Sequence, residues 1–305
     1  MSPAPIVLFV YNRPVHTRLT VEALARNELA ARSDLIVYAD GARSAEQERG
    51  VAEVRDYLGR IAGFASVTVV ARERNLGLAG SVIAGVSEQL ARNETLVVLE
   101  DDMVTSPFFL RFMNDALERY RHDERVVSVH GYIYPVPGRL PETFFLRDTG
   151  CWGWATWRRG WRLFNPDAAG LLAEIGRRRA AFEFDLDGSY GFTKMLRRQA
   201  QGLSDSWAIR WQASAFLQGK LTLFPGVSLV NNIGHDDSGV HSTGTGSFAV
   251  ALADAPVAVA AIPVEESRPA RRQLRDYFLS LYGTAPERWA HRALANLRAM
   301  TRKRA

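Results

Sequence analysis

Cysteine is nearly absent. Cys151 is the only one in 305 residues, so no internal disulfide can staple this chain. Lysine is scarce as well, at three of 38 basic residues (Lys194, Lys220, Lys303). That arginine bias points to a GC-rich coding sequence, as in many bacteria, more than to any activity. The longest apolar run, from Phe248 to Ile262, is interrupted by Asp254 and Pro256, which excludes a spanning helix there. Met1-Ser2-Pro3-Ala4-Pro5 leads straight into an apolar strand without a charged region or cleavage site. No secretory signal is expected from that start, and a cytoplasmic setting is. Two phosphate-binding loops are also missing. There is no G-x-x-x-x-G-K-[ST] segment, and the turn Tyr11-Asn12-Arg13-Pro14 has no glycine to admit a pyrophosphate. P-loop hydrolases and dinucleotide-binding dehydrogenases are thereby set aside. Gly77, Gly80 and Gly85 have the wrong spacing for either and read as close helix–sheet packing.

What remains is a globular composition, 47% hydrophobic and 23% charged, enough to bury a substantial core. The net charge of +5 is uneven: residues 265–305 hold ten basic and four acidic side chains, +6, which leaves the first 264 at −1. A body of that charge argues against a nucleic-acid binder. The tail is expected to be a basic amphipathic helix. Trp289, Ala293, Leu294, Leu297 and Met300 recur at helical spacing between Arg288, Arg292, Arg298 and Arg302. Such a helix either lies on an anionic inner leaflet or packs on the domain before it.

Apolar runs alternate with helical patterns through the first half. Ile6–Tyr11, Leu35–Ala39, Val67–Val70, Leu96–Leu99 and Val126–Val129 read as strands, the first buried on both faces. Helices are expected from His16 to about Ala30, from Ser44 with Gln47 in a capping box, from about Gly80 to Arg92, and from Ser106-Pro107 to about Tyr120. This alternation predicts an α/β fold with a mainly parallel sheet covered on both faces. Ligands bind such sheets beyond the carboxyl ends of the strands. Those ends read Asn12-Arg13-Pro14, Asp40-Gly41 and Glu100-Asp101-Asp102. Three consecutive acids there repel one another and suit a hard divalent cation, Mg²⁺ or Mn²⁺, that bridges to substrate phosphates. The same acids would also serve as an exposed turn before a helix. Arg13 offers a fork for phosphate or a base carbonyl, and Asp40 an acceptor for a base imide or ribose hydroxyl. After His130 the texture changes. Trp152, Trp154, Trp157 and Trp161 fall within ten residues, interleaved with glycines as in a bent loop, and Trp207 and Trp211 follow on an expected helix. Some of these rings are core; one or two would face a sugar.

In order, these segments resemble the nucleotide-sugar glycosyltransferases of the GT-A (Rossmann-like) fold. The likeness is nearest to N-acetylglucosaminyltransferase I and related bacterial family 2-like proteins. It extends from Asn12-Arg13 through Glu100-Asp101-Asp102, Ser106-Pro107-Phe108-Phe109 and Gly150–Trp161 to Asp205-Ser206-Trp207, Pro225–Gly234 and Gly239-Val240-His241. The resemblance implies a catalytic domain over residues 1–264, with a nucleotide part to about 130 and an acceptor part from 131, followed by the helical tail, 265–305. It implies that Asn12, Arg13, Asp40 and Asp101 contact the nucleotide and that Asp102 holds Mn²⁺ or Mg²⁺, with His241 as an added ligand. Glu100, Trp152, Trp154, Trp207 and Arg210 would face donor sugar or acceptor, and Asp205 would be the catalytic base. Ser204 and Ser206 stand where the family has tryptophan and aspartate. Asp187, Asp236 and Asp237 are alternative bases, and His235 a further loop histidine. The implied reaction is inverting, metal-dependent transfer from a UDP-linked sugar, UDP-GlcNAc among them, to a hydroxyl of a glycan or lipid-linked acceptor in surface-polysaccharide synthesis. A sugar-nucleotidyltransferase and a non-catalytic sugar- or nucleotide-binding relative are the alternatives.

Overall fold

The computed structural model describes residues 2–236 and 248–283. Its strands are β1 (Ile6–Val10), β2 (Asp34–Ala39), β3 (Ser66–Ala71), β4 (Thr95–Glu100), β5 (Met103–Thr105), β6 (Val126–His130), β7 (Thr143–Leu146), β8 (Trp154–Trp157), β9 (Leu221–Pro225) and β10 (Val230–Asn232). The helices of the first half are α1 (Pro14–Ala25), α2 (Ala45–Leu58), α3 (Gly77–Arg92) and α4 (Phe109–Arg119). Those of the second are α5 (Arg158–Trp161), α6 (Ala168–Arg177), α7 (Ala181–Phe184), α8 (Phe192–Ala200), α9 (Trp207–Leu217) and α10 (Arg268–Tyr282).

Eight strands form one sheet in the order β3-β2-β1-β4-β8-β6-β9-β7, and β5 pairs with β10 in a short separate ribbon. Six of the eight run the same way, while β7 and β8 oppose their neighbours. The α/β class and its mainly parallel, helix-flanked sheet are therefore as expected. Alternate residues of the central strands feed two cores. Ile6, Leu8 and Val10 of β1 and Val97 and Leu99 of β4 pack under α1, α2 and α4. Val7, Phe9, Leu96 and Val98 pack on the other face under α3, α5 and α9. Burial on both faces is why these strands read as unbroken apolar runs.

Two local readings are corrected. Trp154-Ala155-Thr156-Trp157 is a buried central strand, inserted antiparallel between β4 and β6, and not part of a bent loop. The bend lies just before it, at Gly150 and Gly153, both with φ positive. The capping box at Ser44 does not form: the Ser44 side chain caps nothing, and the Gln47 carbonyl accepts the hydroxyl of Tyr11 instead. Similarly, α4 starts at Phe109, two residues after Pro107; the Ser106 hydroxyl donates to the carbonyl of Ala253 at 2.8 Å and accepts the Phe108 amide at 3.3 Å in the turn before it.

Of the tail, α10 packs on the domain through Ala270, Leu274, Tyr277 and Phe278. The stripe from Trp289 to Met300 lies outside the described residues, as do Asp237 and His241. Among the described residues, no helix is long and apolar enough to cross a membrane.

Candidate functional site

From β1 the chain runs to β2 and β3 on one side, then returns to β4 on the other. A crevice therefore opens beyond the carboxyl ends of β1 and β4, the switch point at which such sheets bind ligands. Arg13 leaves β1 there as the N-cap residue of α1, with Pro14 starting the helix. Its backbone is held by Thr17, whose amide and hydroxyl each donate to the Arg13 carbonyl at 2.9 Å.

The Arg13 side chain crosses to β4. Its Nη2 donates to Asp101 Oδ1 at 2.5 Å and to Asp102 Oδ2 at 2.6 Å. Burial opposes the Arg13 charge, but Asp101 and then Asp102 outweigh it and hold the guanidinium firmly protonated. The backbone around the acids is tied down too: Thr20 donates its hydroxyl to the Asp101 carbonyl at 2.8 Å, and the Ile233 amide donates to that of Asp102 at 2.9 Å.

One arginine does not balance three carboxylates. Burial, then Asp102 and Asp101, pushes Glu100 up to about 8, with the Trp207 indole and Arg13 pulling the other way. Burial likewise raises Asp101 against the pull of Arg13. Asp102 Oδ1 is buried without any hydrogen-bond partner. Such an orphaned oxygen carries a desolvation cost that a cation would remove.

No group of three or more His, Cys, Asp and Glu side chains converges as a metal-ligating set among the described residues. A hard divalent ion with bound waters and substrate phosphates needs only one or two carboxylates, however. The orphaned Asp102 oxygen, with Asp101 next to it in the chain, fits such an ion.

Segment 232–236 covers the crevice. A Cβ on Gly234 would collide with Asp102 Oδ2 and stand 3.1 Å from Arg13 Nη1, so a larger residue here would push the Arg13–Asp102 pair out of place. His16 Nε2 meets Asp236 Oδ2 at 3.0 Å across the rim. His235 lies against Trp152 and Phe248 with both ring nitrogens unpartnered.

Asp40 directly follows β2, and backbone amides take up its carboxylate. Its Oδ2 accepts from the amides of Leu76 and Gly77 at 3.0 Å, and Oδ1 from Leu76 at 3.0 Å and Gly41 at 3.2 Å. The carboxylate thus caps the start of α3, an arrangement favoured by the helix dipole. Beside it, Arg43, Glu73, Arg74, Asn75 and Leu76 line an open cavity of about 390 Å³. Asn12 is half-buried at the β1 end.

The tryptophans divide clearly. Trp154 is 1% exposed and stacks on Trp207, itself buried, at 5.3 Å between ring centroids. This corrects the expectation that Trp154 offers a face to sugar: its ring is buried in the core under α3, α5 and α9, against Trp161, Trp207 and Trp211. Trp207 reaches the site only through its indole, which bonds Glu100. Trp152 is half-buried against Tyr132, His235 and Phe248.

Asp205 is 67% exposed by its side chain and pairs with Arg210 at 3.1 Å. It is not the helix cap, because Ser206 caps α9 by accepting the Ile209 amide. Arg210 also donates to the Ser206 carbonyl at 3.0 Å, so it braces the entry to α9. Asp187, an alternative base, is bound to Arg271 at 2.9 Å on a different side of the fold.

Several residues at the site escaped the sequence reading. Tyr11 takes the Arg43 amide at 3.0 Å. Buried His130 is pushed down to about 3 by burial and accepts the Trp152 amide at 3.1 Å, with its other nitrogen unpartnered. His130 follows an apolar strand with no neighbour of metal-ligand type, so no local signal marks it. His16 and Gly234 likewise acquire meaning only through contacts distant in sequence.

No protein-family model matches the chain, and no curated protein matches it in sequence. Among solved structures it is similar to S. aureus TarS 1–349, at TM-score 0.42 and 11% identity over 76% of this chain and 61% of that one. It is similar to the mannosyltransferase PcManGT from Pyrobaculum calidifontis in complex with GDP-Man and Mn²⁺, at TM-score 0.40, 15% identity, 72% of this chain and 75% of that one. A UDP-glucose pyrophosphorylase complexed with UDP-glucose matches at TM-score 0.36, 10% identity, 74% of this chain and 91% of that one. The chain thus spans about three fifths of the first of these.

Proposed function

We propose that this chain is a nucleotide-sugar glycosyltransferase of the GT-A type that moves a sugar from a nucleoside-diphosphate donor, UDP-linked in our reading, to an acceptor hydroxyl with inversion. The observation that carries the reading is the crevice at the ends of β1 and β4. There an arginine and three carboxylates meet, and one buried carboxylate oxygen has no partner.

In this reading Arg13 offers its guanidinium fork to the diphosphate. Asp102 would hold a divalent ion, which supplies Lewis-acid stabilisation of the leaving diphosphate when bound. Glu100, which the Trp207 indole favours in its charged form, and Asp101 are assigned to read hydroxyls of the donor. Asp205 is assigned as the base that accepts the acceptor proton. It stands two residues before Trp207, the first residue of α9, and Arg210 holds its Oδ1. The acceptor is a glycan or a lipid-linked sugar that enters over α9, and residues beyond 283 supply any contact with an inner-membrane surface.

The test is a screen of UDP-, GDP- and dTDP-sugars for Mn²⁺-dependent release of the nucleoside diphosphate, with and without glycan acceptors. Asp205→Asn should retain donor binding and lose transfer by about two orders of magnitude or more. Binding without turnover of any donor would mark a non-catalytic relative and defeat this proposal.

A further inference from the structure

We propose that Arg13 is a resident counter-cation. It holds the place of the divalent ion at Asp102 and leaves it only when a diphosphate takes up the guanidinium, so metal and nucleotide enter together. The inference rests on the donor-site reading above and adds an order of events to it.

The geometry is specific. A single guanidinium nitrogen bridges Asp101 Oδ1 and Asp102 Oδ2, while Asp102 Oδ1 stays buried and unpartnered. Three carboxylates and one arginine leave the cluster at −3 + 1 = −2, the charge one divalent ion supplies. The site is therefore partly, not fully, compensated at rest.

Space and charge make the two cations exclusive. The close approach of Gly234 to both Asp102 Oδ2 and Arg13 Nη1 closes the outer side of the pair. An ion on Asp102 would stand within a few ångströms of the guanidinium, where like charges repel strongly in a poorly solvated site. Bidentate recognition suits phosphate oxygens as well as carboxylates, so a diphosphate gives Arg13 an equivalent partner. The backbone of Arg13, fixed by Thr17, need not move for this exchange.

The test measures Mn²⁺ binding to the full chain without nucleotide, from the loss of the free-ion electron paramagnetic resonance signal. Arg13→Gln should bind Mn²⁺ alone about tenfold more tightly than wild type, a typical coupling between linked sites. The gain should vanish in Arg13→Gln/Asp102→Asn, and Arg13→Lys, which keeps the charge, should stay within about twofold of wild type. Arg13→Gln that binds Mn²⁺ no better than wild type would overturn the proposal, as would a gain that survives loss of Asp102. Should Arg13→Gln be unfolded in metal-free buffer, refolding by Mn²⁺ that requires Asp102 supports the proposal, and absence of rescue overturns it. Failure of the donor reading is a separate result: wild type would then ignore UDP, GDP and dTDP with Mn²⁺ present, whatever the variants do with Mn²⁺ alone.

Discussion

Two clusters of charge among the described residues are built differently. In the crevice, Arg13 faces Glu100, Asp101 and Asp102, and one carboxylate oxygen is left bare. Under α10, two arginines face three acids: Arg147 pairs with Glu183 and Glu266, and Arg271 with Glu266 at 3.0 Å and Asp187 at 2.9 Å. Each of these five groups has an opposite charge in contact, and Arg271 also donates to the Glu183 carbonyl at 2.8 Å; Asp148 beside them is pushed up to about 6 by burial. The second cluster is a clasp that holds the start of α10 against the loop after α7. Acids outnumber arginines in both, but of the two only the first leaves a buried carboxylate oxygen without a partner. A web that partners its buried oxygens serves the fold, whereas one that leaves such an oxygen bare is open to something that arrives.

The contrast can be broken by substitution. Asp102→Ala should reduce Mn²⁺-dependent diphosphate binding by about 100-fold or more in calorimetry. It should leave the unfolding midpoint unchanged or raised, since it removes a carboxylate from an overcrowded group. Gly234→Ala should bind as poorly, because its methyl would lie on Asp102 Oδ2. Arg271→Ala should do the reverse, with a loss of about 2–3 kcal/mol in urea unfolding and donor binding intact, since it leaves partly buried acids uncompensated. A clasp variant that abolishes binding while still folded would erase the distinction.

Changes of pH should sharpen it with a smaller effect. Glu100 is raised in the folded state to about 8 from an ordinary value of 4.5, so the folded state holds the proton more tightly than the unfolded chain. Stability linked to this group is present below the ordinary value and falls as pH rises from about 4.5 to about 8. Mn²⁺ competes with that proton, so its affinity should rise between pH 6 and pH 8.5 by about tenfold. Glu100→Gln should flatten both trends in thermal melts and metal titrations. The smallest effect belongs to the exposed Asp205–Arg210 pair. Asp205→Asn should change stability by under about 0.5 kcal/mol in chemical unfolding, even where it abolishes transfer.

The legible part of this fold is the part made by local pattern. β1, β2 and β4 are short β-branched runs buried on both faces, and each ends in polar residues that stand at the crevice. Asn12-Arg13 and Glu100-Asp101-Asp102 could be placed together because both follow such strands. β8 was hidden, since two tryptophans between glycines carry no alternation that separates a strand from a loop. Asp40 was visible as a strand-end acid, but the amides it caps come 36 and 37 residues later and depend on the fold of the loop before α3. The Arg13–Asp101 contact spans 88 residues, and nothing in the local sequence states that the arginine would sit on the acids. Pattern reveals which groups stand at a strand end. Which of them are already committed to the protein itself is settled only by tertiary contacts.

The central claim is that the crevice between β1 and β4 holds a nucleoside diphosphate through a metal on Asp102. Calorimetric titration of UDP, GDP and dTDP into wild type and Asp102→Ala, each with and without Mn²⁺, tests it most directly. The account predicts that at least one diphosphate binds wild type only when Mn²⁺ is present, and that this binding is lost in Asp102→Ala. No binding of any of the three with Mn²⁺, or binding that Asp102→Ala leaves untouched, would contradict it.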